Sequence, residues 1–228
     1  MIDVVKVFLG FDEREALAYH VCSQSLIDNS RRPLAIYPLA LSLFRREYKE
    51  LHADGSNAFV YTRFLIPWLC GFKGRAIYMD SDTLVRGDIG ELWDSTPRMY
   101  RGVSVVKHDY RTKHPVKYLG AKNEDYPRKN WSSVMLWECG YSPNKVLTPG
   151  FVSKQSGEFL HRFQWLADDQ IGELDPKWNR LVSEQPVSDG DRLLHFTVGT
   201  PCFDGYEDQD GADEWRETRD RALKPMRL

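Results

Sequence analysis

An apolar, β-branched run from Val4 to Leu9 ends at Gly10 and gives way two residues later to a helix start. Asp12 stands as the N-cap, with Glu15 three residues on at the spacing of a capping box. From Glu13 to Leu26 the pattern through Ala16, Leu17, His20, Val21 and Ser25 is helical. Leu34 to Leu39 then reads as a second strand. A strand, a helix and another strand so early in a chain leave few options. The crossover makes the two strands parallel, and parallel strands need cover on both faces.

The rest of the chain repeats the alternation. Phe59 to Leu69 is predicted helical, with Pro67 disturbing its last turn. Arg75 to Met79, Gly102 to Lys107, Ser132 to Trp137 and Arg192 to Phe196 are strand candidates. Gly157 to Ala167 is predicted helical, with Phe159, Leu160, Phe163 and Leu166 on one face, and Ala212 to Leu223 closes the chain as a helix. Lys107 to Lys129 is polar, carries Pro115 and Pro127, and reads as a long excursion beside a site. The expectation is an α/β fold with a largely parallel sheet. At 228 residues it fits one domain over 1–228.

Composition narrows the function. A net charge of -2 and a pI near 6.3 argue against a nucleic-acid partner, which needs a strongly basic face. No apolar run approaches the ~20 residues that span a bilayer, and Met1 to Gly10 has no signal-peptide pattern. Contact with a membrane surface stays open. Cys22, Cys70, Cys139 and Cys202 form no CxxC pair, so reduced thiols in a cytoplasmic protein are expected.

The strongest chemical signal is Tyr78-Met79-Asp80-Ser81-Asp82-Thr83. Two carboxylates one residue apart follow a buried strand, and at extended spacing their side chains share one side. Such a pair suits a hard divalent cation. In open α/β sheets ligands bind beyond the carboxyl ends of the strands, where this pair falls.

The flanks make the pattern specific. Val60-Tyr61-Thr62-Arg63-Phe64-Leu65-Ile66-Pro67 precedes the pair, and Leu84-Val85-Arg86-Gly87-Asp88-Ile89-Gly90-Glu91-Leu92-Trp93 follows it. Together they resemble the family 8 glycosyltransferases of the GT-A fold, which run from a "Y-x-R" helix through a strand and D-x-D to "D-L-x-E-L-W". Phe8-Leu9-Gly10-Phe11-Asp12 resembles that family's first strand and nucleotide loop. Asp168-Asp169-Gln170 and Trp178-Asn179 resemble its "D-Q" and "W-N" segments, and His195-Phe196-Thr197-Val198-Gly199-Thr200-Pro201 its "H-F-x-G-x-x-K-P-W" segment. Two departures stand out. The lysine of the last motif, which supports the donor phosphates in that family, has no counterpart around Thr200-Pro201-Cys202. The "F-N-x-G-V" strand appears as Asn130-Trp131-Ser132-Ser133-Val134.

The resemblance implies a Rossmann-like, mostly parallel twisted sheet flanked by helices. Residues 1–100 would form the nucleotide and metal part, 101–205 the acceptor and sugar part, and 206–228 a C-terminal tail helix. It implies transfer of a hexose from a nucleotide sugar, UDP-linked by default, to a glycan, lipid-linked or small-molecule acceptor with retention of configuration. Asp80, Asp82 and His195 would hold the metal. Two carboxylates and an imidazole suit Mn²⁺ better than Mg²⁺, although Mg²⁺ remains open. Phe8, Gly10, Asp12, Tyr61, Arg63, Asp80 and Ser81 would contact the donor nucleotide. Arg63 would also orient the carboxylates, while Asp168, Asp169 or Gln170 would face the transferred sugar. Two other readings stay open. A sugar nucleotidyltransferase needs a glycine-rich basic loop, which Gly10-Phe11-Asp12-Glu13-Arg14 is not. A non-catalytic nucleotide-sugar-binding protein would share the fold without the chemistry.

Overall fold

The computed structural model describes residues 3–52, 58–120 and 122–224. In chain order the elements are β1 (Val5–Phe11), α1 (Ala16–Asn29), β2 (Leu34–Ala40), a short α2 (Ile66–Leu69), β3 (Arg75–Met79), β4 (Thr83–Val85) and α3 (Ile89–Trp93). Then come β5 (Val103–Val105), β6 (Val134–Glu138), α4 (Pro149–Val152), α5 (Gly157–His161), β7 (Ile171–Glu173), β8 (Arg180–Leu181), β9 (Leu193–His195) and α6 (Ala212–Ala222). Six strands form one mostly parallel sheet in the order β2-β1-β3-β6-β5-β7. Its β1–β2, β1–β3 and β5–β7 pairs are parallel, and β6 runs antiparallel to both neighbours. A second sheet, β4-β9-β8, stands beside it.

The central strands are apolar at nearly every position because both faces are covered. Alternation sends Ala76 and Tyr78 of β3, with Met135 and Trp137 of β6, to a core built with Phe64, Leu160 and Phe163. Ile77, Met79, Val134 and Leu136 go to the other face, against Leu26, Ile89, Leu92 and Trp93. The small sheet has its own core, in which Leu84, Leu194 and Phe196 meet Val21 of α1 and Trp215 of α6.

Three local expectations are corrected. First, the stretch 59–69 is no continuous helix: a 3-10 turn at Thr62–Leu65 leads into α2, and Pro67 sits in the first turn of α2, where its missing N–H costs nothing. Second, α5 stops at His161, well short of Ala167, and Phe163 takes a φ of 53°. Phe64 is the cause, since it receives the rings of His161, Phe163 and Trp165 at 5.2, 6.3 and 5.9 Å. A straight helix cannot aim residues two apart at one partner. Third, Asp12 caps the start by accepting from Arg14 N at 2.9 Å, but Glu15 does not complete the box. Its buried carboxyl accepts from Tyr118 Oη instead.

β3 is tied to β6 by a buried charge pair. Arg75 and Glu138 lie opposite in register, and Arg75 Nε donates to Glu138 Oε1 at 2.5 Å. The same guanidinium donates to Trp93 O of α3 at 2.5 Å. Removing the cation strands a buried carboxylate, so Arg75→Met is predicted to lower the unfolding free energy by about 3–5 kcal/mol. Arg75→Met with Glu138→Leu should recover most of it. Urea denaturation of both variants checks this, and a single-variant loss below ~1 kcal/mol would contradict it.

Candidate active site

β3 belongs to the large sheet and β4 to the small one, and the residues between them are Asp80, Ser81 and Asp82. The pair therefore sits in a tight turn rather than at the extended spacing expected. Thr83 Oγ1 donates to Asp80 O at 2.8 Å, Asp80 N to Ser133 O at 2.9 Å, and Phe196 N to Asp82 O at 2.9 Å. In the β4–β9 ladder Thr83 lies opposite His195. Asp82, one residue earlier, thus meets an imidazole far away in sequence.

Asp80, Asp82 and His195 each offer a ligand atom, all within 4.8 Å of one another. His195 Nδ1 lies 3.0 Å from Asn179 Oδ1. Asn179 Nδ2 is committed as a donor to Ser133 Oγ at 2.9 Å, so its oxygen is the atom that faces the ring. Nδ1 therefore points its N–H at Asn179, and Nε2 faces Asp82 Oδ1, 3.3 Å away. That oxygen is buried and has no hydrogen-bond partner among the described residues. With the other ring nitrogen anchored on Asn179, Nε2 and Asp82 Oδ1 are placed so that one cation could take both as ligands, and an imidazole oriented in this way is how histidine ligates metals.

Arg63 holds the other carboxylate. Its Nη1 lies 2.9 Å from Asp80 Oδ1 and donates to Ser132 O at 2.9 Å, while the guanidinium covers the Tyr78 ring at 4.8 Å. Tyr78 Oη also donates to Asp80. Burial raises the Asp80 carboxyl above its ordinary value, with Arg63 opposing. For Asp82, burial is outweighed by His195 and Lys117, and the carboxyl is lowered.

A cleft of about 670 Å³ opens over these groups, and Tyr61, Arg63, Asp80, Asp82 and His195 line it. Other expected residues lie elsewhere. Asp12 faces a neighbouring depression, where Arg14 Nη2 at 2.7 Å and Ala58 N at 2.9 Å hold its carboxyl down at about 2 despite burial. Phe8 is buried and stacks on Tyr37 at 4.9 Å. A Cβ on Gly10 would lie 2.4 Å from the Phe59 ring, so the close approach the glycine permits is that ring's. Ser81 is buried with its hydroxyl unpartnered among the described residues. Asp168, Asp169 and Gln170 form a 3-10 turn before the edge strand β7 and do not line the cleft. Asp168 pairs with Arg128, and Gln170 Oε1 accepts from Ala167 N at 3.0 Å.

No family model matches the chain. Protein CDI of Arabidopsis thaliana is 40% identical to it over 219 residues, which cover 92% of this chain and 84% of that protein. The chain belongs to the Protein CDI family. Solved structures give the fold. WbbM, a bifunctional glycosyltransferase, superposes with a TM-score of 0.59 at 14% identity over 95% of this chain. Apo GlyE, a glycosyltransferase of Streptococcus pneumoniae TIGR4, gives 0.62 at 14% over 95%. The galactosyltransferase LgtC, with donor and acceptor sugar analogs, gives 0.56 at 13% over 98% of both chains. The chain spans 49% of WbbM and 60% of GlyE. The CDI-family chain thus has the GT-A glycosyltransferase fold.

The CDI-family site also holds residues that sequence reasoning missed. Lys117 comes from the polar excursion, and its Nζ donates to Thr197 Oγ1 at 3.2 Å. Asn130, at a φ of 61°, donates to Tyr110 Oη at 2.8 Å and Thr197 Oγ1 at 3.3 Å. His161 reaches the cleft from α5, with Nδ1 2.7 Å from Ser132 Oγ. Burial, then Arg63 and His52, push its ring down to about 3, so it is neutral. Lys117 and His161 have no local motif, and Asn130 lies in the "F-N-x-G-V" match. The one available signal was Asn179, adjacent to a buried tryptophan in "W-N", whose task is to orient His195. No described helix is long and apolar enough to cross a membrane.

Two predictions follow from this geometry. Asn179→Leu removes the acceptor that sets the His195 tautomer and is predicted to weaken Mn²⁺ binding roughly 10–100-fold. Calorimetric titration of Mn²⁺ into both proteins reads this directly, and equal affinities would refute the tautomer argument. Glu15 has its carboxyl raised to about 7 by burial and by the charge of Asp82. Between its ordinary value of 4.5 and that value the folded chain keeps a proton that the unfolded chain has lost. Its contribution to stability therefore falls as pH rises through that window. Glu15→Gln cannot ionise, so the wild type should lose stability relative to the variant from pH ~5 to ~7. Parallel pH profiles of the two would count against this reading.

Proposed function

We propose that the chain is a metal-dependent glycosyltransferase related to family 8. It moves a hexose from a UDP-linked donor to a glycan, lipid-linked or small-molecule acceptor, with retention at the anomeric carbon. The observation that carries the reading is the facing pair of Asp82 Oδ1 and His195 Nε2, with Asp80 alongside, at the floor of the cleft. Mn²⁺ is the metal these donors favour. When bound there it supplies Lewis-acid neutralisation of a diphosphate leaving group.

The chain's own residues do the rest. Arg63 fixes the Asp80 carboxylate through a contact braced by Ser132 O and the Tyr78 ring. Asn179 fixes the imidazole. Asn130 and Ser132 line the cleft beside the carboxylates and are the residues we assign to the transferred sugar, with Tyr61 and His161 farther along as the acceptor wall. In the transfer, the acceptor oxygen bonds to the anomeric carbon as the bond from that carbon to the phosphate oxygen breaks. The electron pair leaves with the nucleoside diphosphate, and the acceptor proton passes to the departing phosphate.

A donor screen tests the reading. UDP-, GDP- and ADP-sugars are incubated with Mn²⁺ and the release of free nucleoside diphosphate is measured. Turnover should appear with a UDP-sugar, disappear on chelation and return with Mn²⁺. Asp82→Ala should lose at least ~100-fold in turnover, the scale of a lost metal contact, while keeping its thermal midpoint within a few degrees. Nucleotide binding without any release would favour the non-catalytic sugar-nucleotide binder.

A further inference from the structure

Lys117 is half-buried and lines the cleft beside the metal-ligating residues. An ammonium has three N–H donors. One is used on Thr197 Oγ1 at 3.2 Å, and among the described residues no carboxylate forms an ion pair with it. Asp80 and Asp82, the carboxylates a divalent cation would neutralise, line the same cleft. The lysine is also held in place. Thr197 follows His195 by two residues and receives Asn130 Nδ2 at 3.3 Å as well. The next residue, Tyr118, donates its backbone N–H to Val198 O at 2.9 Å and its hydroxyl to Glu15, and stacks on Phe203 at 4.6 Å.

Two spare donors on an anchored cation, next to a metal site, call for a ligand that carries several anionic oxygens and binds a metal as well. A diphosphate meets both requirements, and a neutral sugar meets neither. Arg63 spends its Nη1 on the Asp80 carboxylate and on Ser132 O, so that part of the guanidinium serves the carboxylate. The segment after His195 offers Thr200-Pro201-Cys202, with no cation among them.

We propose that Lys117 binds the terminal phosphate of the nucleoside diphosphate, so that the polar excursion, not the segment after His195, supplies the phosphate-binding cation. The proposal rests on the transferase reading and assigns a residue within that site.

Calorimetry separates the two. Uridine and UDP, with GDP and ADP as alternatives, are titrated into the wild type, Lys117→Met and Lys117→Arg in the presence of Mn²⁺. Lys117→Met should weaken the diphosphate roughly tenfold or more, the scale of one charge-assisted contact, and leave the nucleoside within about twofold. Lys117→Arg should keep diphosphate affinity within a few-fold. An unchanged diphosphate affinity in Lys117→Met overturns the assignment while the transferase reading stands. Equal losses for nucleoside and diphosphate also overturn it, by giving Lys117 a structural part in the loop. If no diphosphate binds the wild type, the transferase reading fails and this assignment falls with it.

Discussion

The antiparallel pairing of β4 with β9 is the contact on which the site depends. Without the Thr83–His195 register, Asp82 and its imidazole would have no reason to meet. Backbone hydrogen bonds carry this pairing on both sides of the carboxylate, from Phe196 N to Asp82 O and from Arg86 N to Arg192 O at 2.8 Å. The small sheet is in turn pinned by Leu84, Leu194 and Phe196 against Val21 and Trp215. The core of the small sheet therefore sets the spacing of the candidate metal ligands. It also explains the break in the chain between β3 and β4. One strand must leave the large sheet and enter another, and the turn that does so is where two carboxylates are gathered.

The electrostatics follow from that geometry. Two partly buried carboxylates so close together repel, and an apolar floor raises the cost. The chain answers with unequal partners. Asp80 receives a guanidinium and a phenol, whereas the side chain facing Asp82 is His195. The less satisfied oxygen is the one that faces the imidazole Nε2. This asymmetry is what separates a metal site from an ordinary buried ion-pair network, in which each oxygen would have been given a donor.

The large sheet was legible because its strands are apolar on both faces and end at turn residues. β1, α1, β2, β3 and the Asp80–Asp82 turn all lie within a few residues of where the pattern puts them. Helix lengths were less legible. Tertiary contacts around Phe64 ended α5 early, and periodicity contains no information about a ring elsewhere in the chain. Within the site, Asp80, Asp82, His195 and Arg63 were readable because each sits in a local motif. Lys117 and His161 were not, since they arrive from an excursion and a helix whose sequences have no signature, and Asn130 stood in the "F-N-x-G-V" match without being given a role. Glu15 was misjudged for a related reason: at capping-box spacing a local bond to the Asp12 backbone was the simple expectation, and a phenol from the excursion won.

That excursion is ordered by polar contacts, not by an apolar core. Glu184 accepts from Thr112 Oγ1 at 2.5 Å and Lys113 N at 2.8 Å. Asn123 donates to Thr112 Oγ1 and to His114 O, and receives Lys129 Nζ at 2.6 Å. Such a network is worth most when complete, because each buried member left without a partner costs about 1–3 kcal/mol. Its members lie away from the cleft, yet they set where Lys117 and Tyr118 can stand. The rigid sheets thus fix the candidate metal ligands, while a hydrogen-bonded loop fixes the cation beside them. A local opening of the loop would remove the cation and leave the carboxylates in place, so the proposed phosphate recognition and metal binding would draw on different parts of the fold's stability.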